Sequence, residues 1–281
     1  MTKHYELDKK TSATPPDISG PGLMRLIHGR DIYQDLREDW YQELYKEWEN
    51  AKIPTTIPME PGAERSDYSN TSLQGWGWGS PAEYDAIYDL LTEVKPKLYI
   101  EVGVWKGRSL AITMGYAQEM GLDTVAIAVD TWLGGIEHRG SPDEPSQHDV
   151  RHSGEWCGMP LLYQYFLLNM VNWRVTEIVV PFPQEANLAA KWLLKHNIKA
   201  DLIYIDASHE EDDVYVNLVN YHKILSDSGV IYGDDYQWPG VQAAVKQFAK
   251  ENNLSVGCVF GHNGNPTQDC DIVRWRLDKI P

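Results

Sequence analysis

Three aspartates and one histidine carry most of the chemical information in this sequence. Asp206 and His209 stand in the phrase Leu202-Ile-Tyr-Ile-Asp206-Ala-Ser-His209, and Asp234 and Asp235 follow Gly229-Val-Ile-Tyr-Gly233. Each phrase reads as a short β-branched strand ending in acid. If the strands are neighbours, three carboxylates meet at one edge, where like charges repel by several kcal/mol at intermediate dielectric unless a cation sits among them. Asp206, Asp234 and Asp235 are therefore candidate metal ligands, and an all-oxygen set selects Mg²⁺, Mn²⁺ or Ca²⁺ over zinc. His209, three residues past Asp206, is placed to act on a metal-bound ligand without binding the metal itself. A lone histidine is usually structural, but one among strand-tip acids reads as catalytic.

A second constellation lies earlier, in Tyr99-Ile-Glu101-Val-Gly103-Val-Trp-Lys-Gly107-Arg-Ser109. Gly103 and Gly107 let the backbone turn tightly and approach a ligand, while Glu101 puts a carboxylate at the strand tip. This is not the GxGxxG turn that seats a pyrophosphate, so a nicotinamide dehydrogenase is disfavoured. An acid at this tip favours a cationic or hydroxyl-bearing ligand. A tight turn with no ligand is the plainer reading of the segment. After the next strand comes Asp130-Thr131-Trp132, where Asp130 can accept both hydroxyls of a ribose and Trp132 can stack on a purine. Alone, Asp130 would be a loop cap; paired with the glycine turn, it points to a nucleoside.

The elements that must position these groups follow from an alternation of short apolar runs and helical stretches. Strands are expected at Leu98–Val102, Val125–Val129, Val175–Val180, Leu202–Ile205 and Val230–Tyr232. Helices are expected at about Arg108–Met120, Leu161–Met170, Glu185–His196, Asp212–Leu225 and Val241–Asn252. Such order implies a doubly wound α/β fold with a mostly parallel sheet covered on both faces. Ser255–Phe260 and Asp271–Leu277, joined without a helix, read as a terminal antiparallel pair. In sheets of this kind, ligands bind beyond the carboxyl ends of the strands, where both constellations fall.

Outside this region, residues 1–22 read as a flexible tail and residues 23–80 as a helical and loop extension. The extension holds an amphipathic helix from Asp31 to about Glu49 and a Gly75–Gly79 loop; a domain then spans 81–281, its first helix capped by Ser80. Residues 134–160, with His138, His148 and His152, read as a lid or as a solvated loop. Pro181–Gln184 reads as a turn or as a wall of the adenine pocket.

A formal charge of −16 from 25 Lys+Arg and 41 Asp+Glu argues against nucleic acid or anionic membrane as a partner. The three cysteines show no CxxC spacing, which suits a reducing, cytoplasmic setting. No apolar run suggests a membrane span or a signal peptide. Eleven Trp and 16 Tyr against 4 Phe favour a pocket that stacks on polar ligands.

Taken together, "YIEVGVWKGRS", "VAIAVDTW", "DLIYIDASHEEDDV" and "GVIYGDDYQWPGV" resemble the class I S-adenosylmethionine-dependent methyltransferases. Within them the likeness is to the metal-dependent sugar O-methyltransferases of macrolide and aminocoumarin tailoring, over about Pro81 to Leu277. The resemblance implies a seven-stranded Rossmann-like sheet with an antiparallel C-terminal strand. It implies a donor pocket at Glu101, Gly103, Gly107, Ser109 and Asp130, to which Thr131 and Trp132 are added as neighbours. It implies magnesium on Asp206, Asp234 and Asp235, and His209 as the base. The macrolide branch has Glu where Asp234 stands. A neighbouring branch carries the label cephalosporin hydroxylase, but no two-histidine facial triad is present here. The implied function is Mg²⁺- or Mn²⁺-dependent methyl transfer from S-adenosylmethionine to a hydroxylated small molecule, a glycoside by preference, with a homo-oligomer as a possible assembly. A catechol or flavonoid O-methyltransferase and a silent binding module are the alternatives.

Overall fold

The structure, a computed structural model, describes residues 15–37, 81–139, 150, 155–156, 158–261 and 272–280. Its centre is a sheet of strands β1 (Leu98–Val102), β2 (Val125–Asp130), β5 (Val179–Pro183), β6 (Ala200–Ile205), β7 (Leu225–Gly233), β8 (Leu254–Gly261) and β9 (Ile272–Lys279). A separate two-stranded hairpin, β3 (Glu155–Trp156) with β4 (Met159–Pro160), lies within the expected lid segment. The order across the main sheet is β5-β2-β1-β6-β7-β9-β8. β9 runs against both its neighbours and the other strands share one direction. This is the doubly wound, mostly parallel sheet expected from the alternation of apolar runs and helices.

Burial on both faces explains why the central strands read as continuous apolar runs rather than as an alternating pattern. All five residues of β1 are buried, as are the first five of β2. Between strands run α2 (Pro81–Val94), α3 (Arg108–Glu119), α4 (Leu162–Asn172), α5 (Ala186–Lys195), α6 (Glu211–His222) and α7 (Pro239–Glu251), after an N-terminal α1 (Gly20–His28). α5 starts where the Glu185 carboxylate accepts the Asn187 and Leu188 amides, at 2.9 Å each. α7 starts with Pro239 in its first turn, where a missing amide proton costs nothing. At the opposite edge of the sheet from the candidate residues, Asp201 accepts the Lys97 and Leu98 amides and the Ser226 hydroxyl. One carboxylate thus ties β1, β6 and β7 in register.

Several expectations need correction. The third parallel strand begins at Val179, four residues later than its apolar run, and it includes Pro181 and Pro183. As the sheet's edge strand it tolerates residues that cannot donate to a ladder, so Pro181–Pro183 is strand and not a turn. The supposed tail ends earlier than Gly22. Ser19 caps α1 by accepting the Gly22 amide, and Gly20 and Gly22 are buried within the helix. α1 docks on β5: the His28 ring lies 2.6 Å from Pro181 O, and the Tyr33 hydroxyl donates to Val179 O at 3.2 Å. Of the helix expected from Asp31, Ile32–Arg37 forms a 3-10 turn. The rest of that helix, the Gly75–Gly79 loop and Ser80 lie outside the described residues.

Candidate active site

β1 is the strand at which the winding reverses: the chain steps outward to β2 and β5, then returns to β6 on the other side. The carboxyl edge beside it is the position at which such sheets bind ligands. Asp206 follows β6, and Asp234 and Asp235 follow β7, its neighbour. Asp206, His209 and Asp235 offer ligand atoms all within 4.8 Å of one another. They line one cleft with Asp234, Ser208, Val214 and Val241. His209 Nε2 lies 2.8 Å from Asp235 Oδ2, its Nδ1 lies 3.8 Å from Glu137, and Trp238 stacks on the ring at 4.6 Å. The hydrogen bond to Asp235 raises the His209 pKa against the opposing effect of burial. Burial and the nearby Asp234 and Asp235 carboxylates push Asp206 well above the usual carboxylate range.

Asp234 is turned differently from the other two. Its Oδ2 accepts the Tyr204 hydroxyl at 2.7 Å and Arg274 Nε at 3.0 Å, and its Oδ1 accepts the Asp235 amide at 2.9 Å. All three carboxylates line the cleft, and Asp234 is the one also held in an ion pair with Arg274. Arg274, on β9, is 3% exposed and sits over the Tyr204 ring. Sequence reasoning passed over it. The available signal was an arginine set between Val273 and Trp275 near the start of a strand, since an arginine is rarely buried there unless paired.

The glycine turn is shaped by the protein's own packing. Gly103 and Gly107 have φ of +84° and +83°, a region that glycine enters without steric cost. A Cβ on Gly103 would lie 1.9 Å from Asp206 O, so the turn rests directly on the tip of β6. Glu101 is fully buried: it accepts the Ser109 hydroxyl at 2.5 Å and the Tyr99 hydroxyl at 2.7 Å. Burial raises its pKa to about 7 despite those bonds. Glu101 and Ser109 thus brace the turn from below.

Asp130 braces it from the side. Its Oδ2 accepts the Val104 and Trp105 amides at 2.8 Å each, and its Oδ1 accepts Trp132 N at 2.7 Å. One lone pair of Oδ1 remains for a ligand hydroxyl, fewer than two ribose hydroxyls need. Trp132 is 1% exposed, packed on Tyr163 and Phe166, with its indole N–H donating to Trp105 O. It is a core residue, and the expected purine stacking is not available to it. Thr131, beside it, is exposed. The aromatic ring that the turn presents is Trp105, stacked at 4.3 Å on His138 from the loop after β2. His148 and His152 lie outside the described residues.

Residues 100–236 match the family model described as a methyltransferase domain. Over that stretch the chain is similar to a methyltransferase domain, and it carries the sheet order and the edge site just described. Among solved structures it is similar to the O-methyltransferase NovP at 14% identity, with a TM-score of 0.51 over 72% of this chain and 81% of that one. It is also similar to CalS11, a calicheamicin methyltransferase, at 17% identity, TM-score 0.47, over 69% and 76% of the two chains. An O-methyltransferase from Bacillus cereus in complex with SAH gives 12% identity, TM-score 0.48, over 79% and 93%. At such identities the likeness is one of fold. No curated protein matches the sequence.

Proposed function

We propose that this protein is a metal-dependent O-methyltransferase that moves a methyl group from S-adenosylmethionine to a hydroxyl of a sugar or glycosylated small molecule. The observation that carries the reading is the convergence of Asp206, Asp235 and His209 at the strand tips beside the glycine turn. The donor set fits a hard cation, since carboxylate oxygens within 4.8 Å of one another are within the reach of one Mg²⁺ or Mn²⁺. The donor's place is the neighbouring edge, at Gly103–Gly107, Asp130 and Thr131. Glu101 and Ser109 hold that turn, and Trp132 supports it from the core.

When bound, the donor supplies an electrophilic methyl on a sulfonium and the cation supplies a Lewis acid that makes an acceptor hydroxyl more acidic. Asp206, Asp234 and Asp235, which line one cleft, would hold the cation. His209 takes the acceptor's proton at Nδ1, because Nε2 donates its own proton to Asp235 at 2.8 Å, as the oxygen–methyl bond forms and the sulfur–methyl bond breaks. Trp238, stacked on the imidazole, limits its rotation. A sulfonium leaving group needs no protonation, so the protein's contribution is alignment and removal of one proton. NovP supports the O-methyl reading as a relative in fold. The cysteine usage and net charge support a cytoplasmic enzyme with a small-molecule acceptor.

The test is incubation with labelled S-adenosylmethionine, Mg²⁺ and a panel of glycosides and catechols. Label on a glycoside hydroxyl is expected. Label on catechols alone would move the acceptor class, and no transfer to any hydroxyl would leave a donor-binding module. Asp235→Ala is expected to abolish metal-stimulated turnover while donor affinity, measured calorimetrically, stays within about threefold. Full turnover of the wild type in excess chelator would remove the metal from the mechanism.

A further inference from the structure

His209 stands between two carboxylates. Asp235 holds Nε2 at 2.8 Å, and Glu137, on the loop after β2, brings Oε1 to 3.8 Å from Nδ1. The second contact is longer than a hydrogen bond. Nδ1 is the nitrogen that takes the acceptor's proton in the reading above, so an acceptor oxygen at hydrogen-bond distance from it meets the Glu137 carboxylate on the same side of the ring. The three aspartates lie toward the other nitrogen.

The loop that carries Glu137 is held from two directions. Ile136–His138 forms a single 3-10 turn. His138 Nδ1 accepts the Gly135 amide at 2.9 Å, and the His138 ring stacks on Trp105 of the glycine turn at 4.3 Å. Just before the turn, a Cβ on Gly134 would lie 2.4 Å from Cγ1 of the buried Val150, so the backbone packs closely there. The Glu137 side chain is 42% exposed and therefore within reach of a ligand.

Trp238 supplies a flat apolar surface at the same place. One face covers the His209 imidazole, and the residue is still 48% exposed. A pyranose has apolar C–H faces and a rim of hydroxyls, which suit an aromatic ring and a carboxylate respectively. A ring that carries its own anionic group would set like charge against Glu137.

Resting on the O-methyltransferase reading above, we propose that Glu137 and Trp238 form the acceptor subsite beside His209, and that Glu137 selects an uncharged sugar ring over an anionic one. Glu137 accepts a hydroxyl of the ring, and Trp238 takes a C–H face and has no preference between a neutral ring and an acid. This discrimination is local. The charge of −16 on the whole chain also disfavours anions, but that field is screened over about 8 Å at about 0.15 M salt, whereas a group in contact with Glu137 is not.

The experiment is calorimetric titration of the protein loaded with Mg²⁺ and S-adenosylhomocysteine, which has no methyl group to transfer. The ligands are phenyl glucoside and phenyl glucuronide, which differ only in having a hydroxymethyl or a carboxylate on the ring, and the salt is about 0.15 M. The wild type should bind the glucoside about 10- to 100-fold more tightly. Glu137→Gln, which keeps the shape and removes the charge, should bring the two within about threefold of each other, and Glu137→Asp should keep most of the preference. Trp238→Ala should weaken both glycosides by about tenfold and leave their ratio unchanged. Thermal unfolding checks the fold of each variant. A wild type that binds the two equally, or a ratio that Glu137→Gln leaves unchanged, would overturn this assignment alone, the latter because a residue that only orients His209 has no means of telling the two rings apart. A wild type that binds neither glycoside would overturn the glycoside reading and this subsite with it.

Discussion

Glu101 shows how a residue chosen for a ligand can serve the fold instead. Buried among Tyr99, Ser109 and the Leu110 backbone, and within the field of Arg274 and Asp206, it has a pKa of about 7 against an ordinary 4.5. A carboxyl whose folded pKa is raised stabilises the fold fully below its unfolded value and loses that contribution as pH climbs to the folded value. Between pH 4.5 and 7, the wild type should therefore lose on the order of 3 kcal/mol relative to Glu101→Gln, which has no proton to lose. Urea unfolding of both proteins at several pH values measures the difference, and parallel curves would contradict it. Trp132 makes the same point for an aromatic ring. Its position in the core implies a cost of about 3–5 kcal/mol for Trp132→Ala. A variant of native stability with weakened donor binding would restore the purine-stacking role.

At the scale of elements, the site depends on contact between the β1 turn and the tip of β6. Gly103→Ala puts a Cβ against the Asp206 carbonyl and asks alanine to adopt φ +84°. The cost should be about 2–3 kcal/mol, seen as a lower denaturant midpoint. If β1 and β6 carry the proposed donor and metal edges, donor and Mn²⁺ affinity should fall together in the folded fraction. Gly121→Ala, at a glycine of similar φ but with open space where its Cβ would go, is the control that isolates the steric part. The loop after β2 bridges the same two edges, with His138 on Trp105 and Glu137 near His209.

At the scale of the whole molecule, the charge of −16 sets how acceptors arrive. A cleft on an acidic surface slows anionic ligands and speeds cationic ones, and salt screens both effects over about 10 Å at 0.1 M. For an anionic acceptor, kcat/KM should rise as salt goes from about 10 to 150 mM, and for a neutral glycoside it should stay nearly flat. Steady-state kinetics across that series reads the difference. Among the described residues no helix is long and apolar enough to cross a membrane.

The sequence by itself determined the alternation of strands and helices, because continuous β-branched runs and helical periods are local signals. It also determined that the candidate residues stand at the carboxyl ends of strands, since each follows an apolar run directly. Its misreadings come from partners distant in the chain. That Asp234 is held in an ion pair depends on Arg274, 40 positions away on an antiparallel strand. Whether Trp132 meets a ligand depends on Tyr163 and Phe166 in α4. The late start of β5 depends on its pairing with β2 at the sheet edge. Local propensity marks which residues lie at a strand tip; the direction of each side chain there is decided by the charges and rings that tertiary packing brings against it.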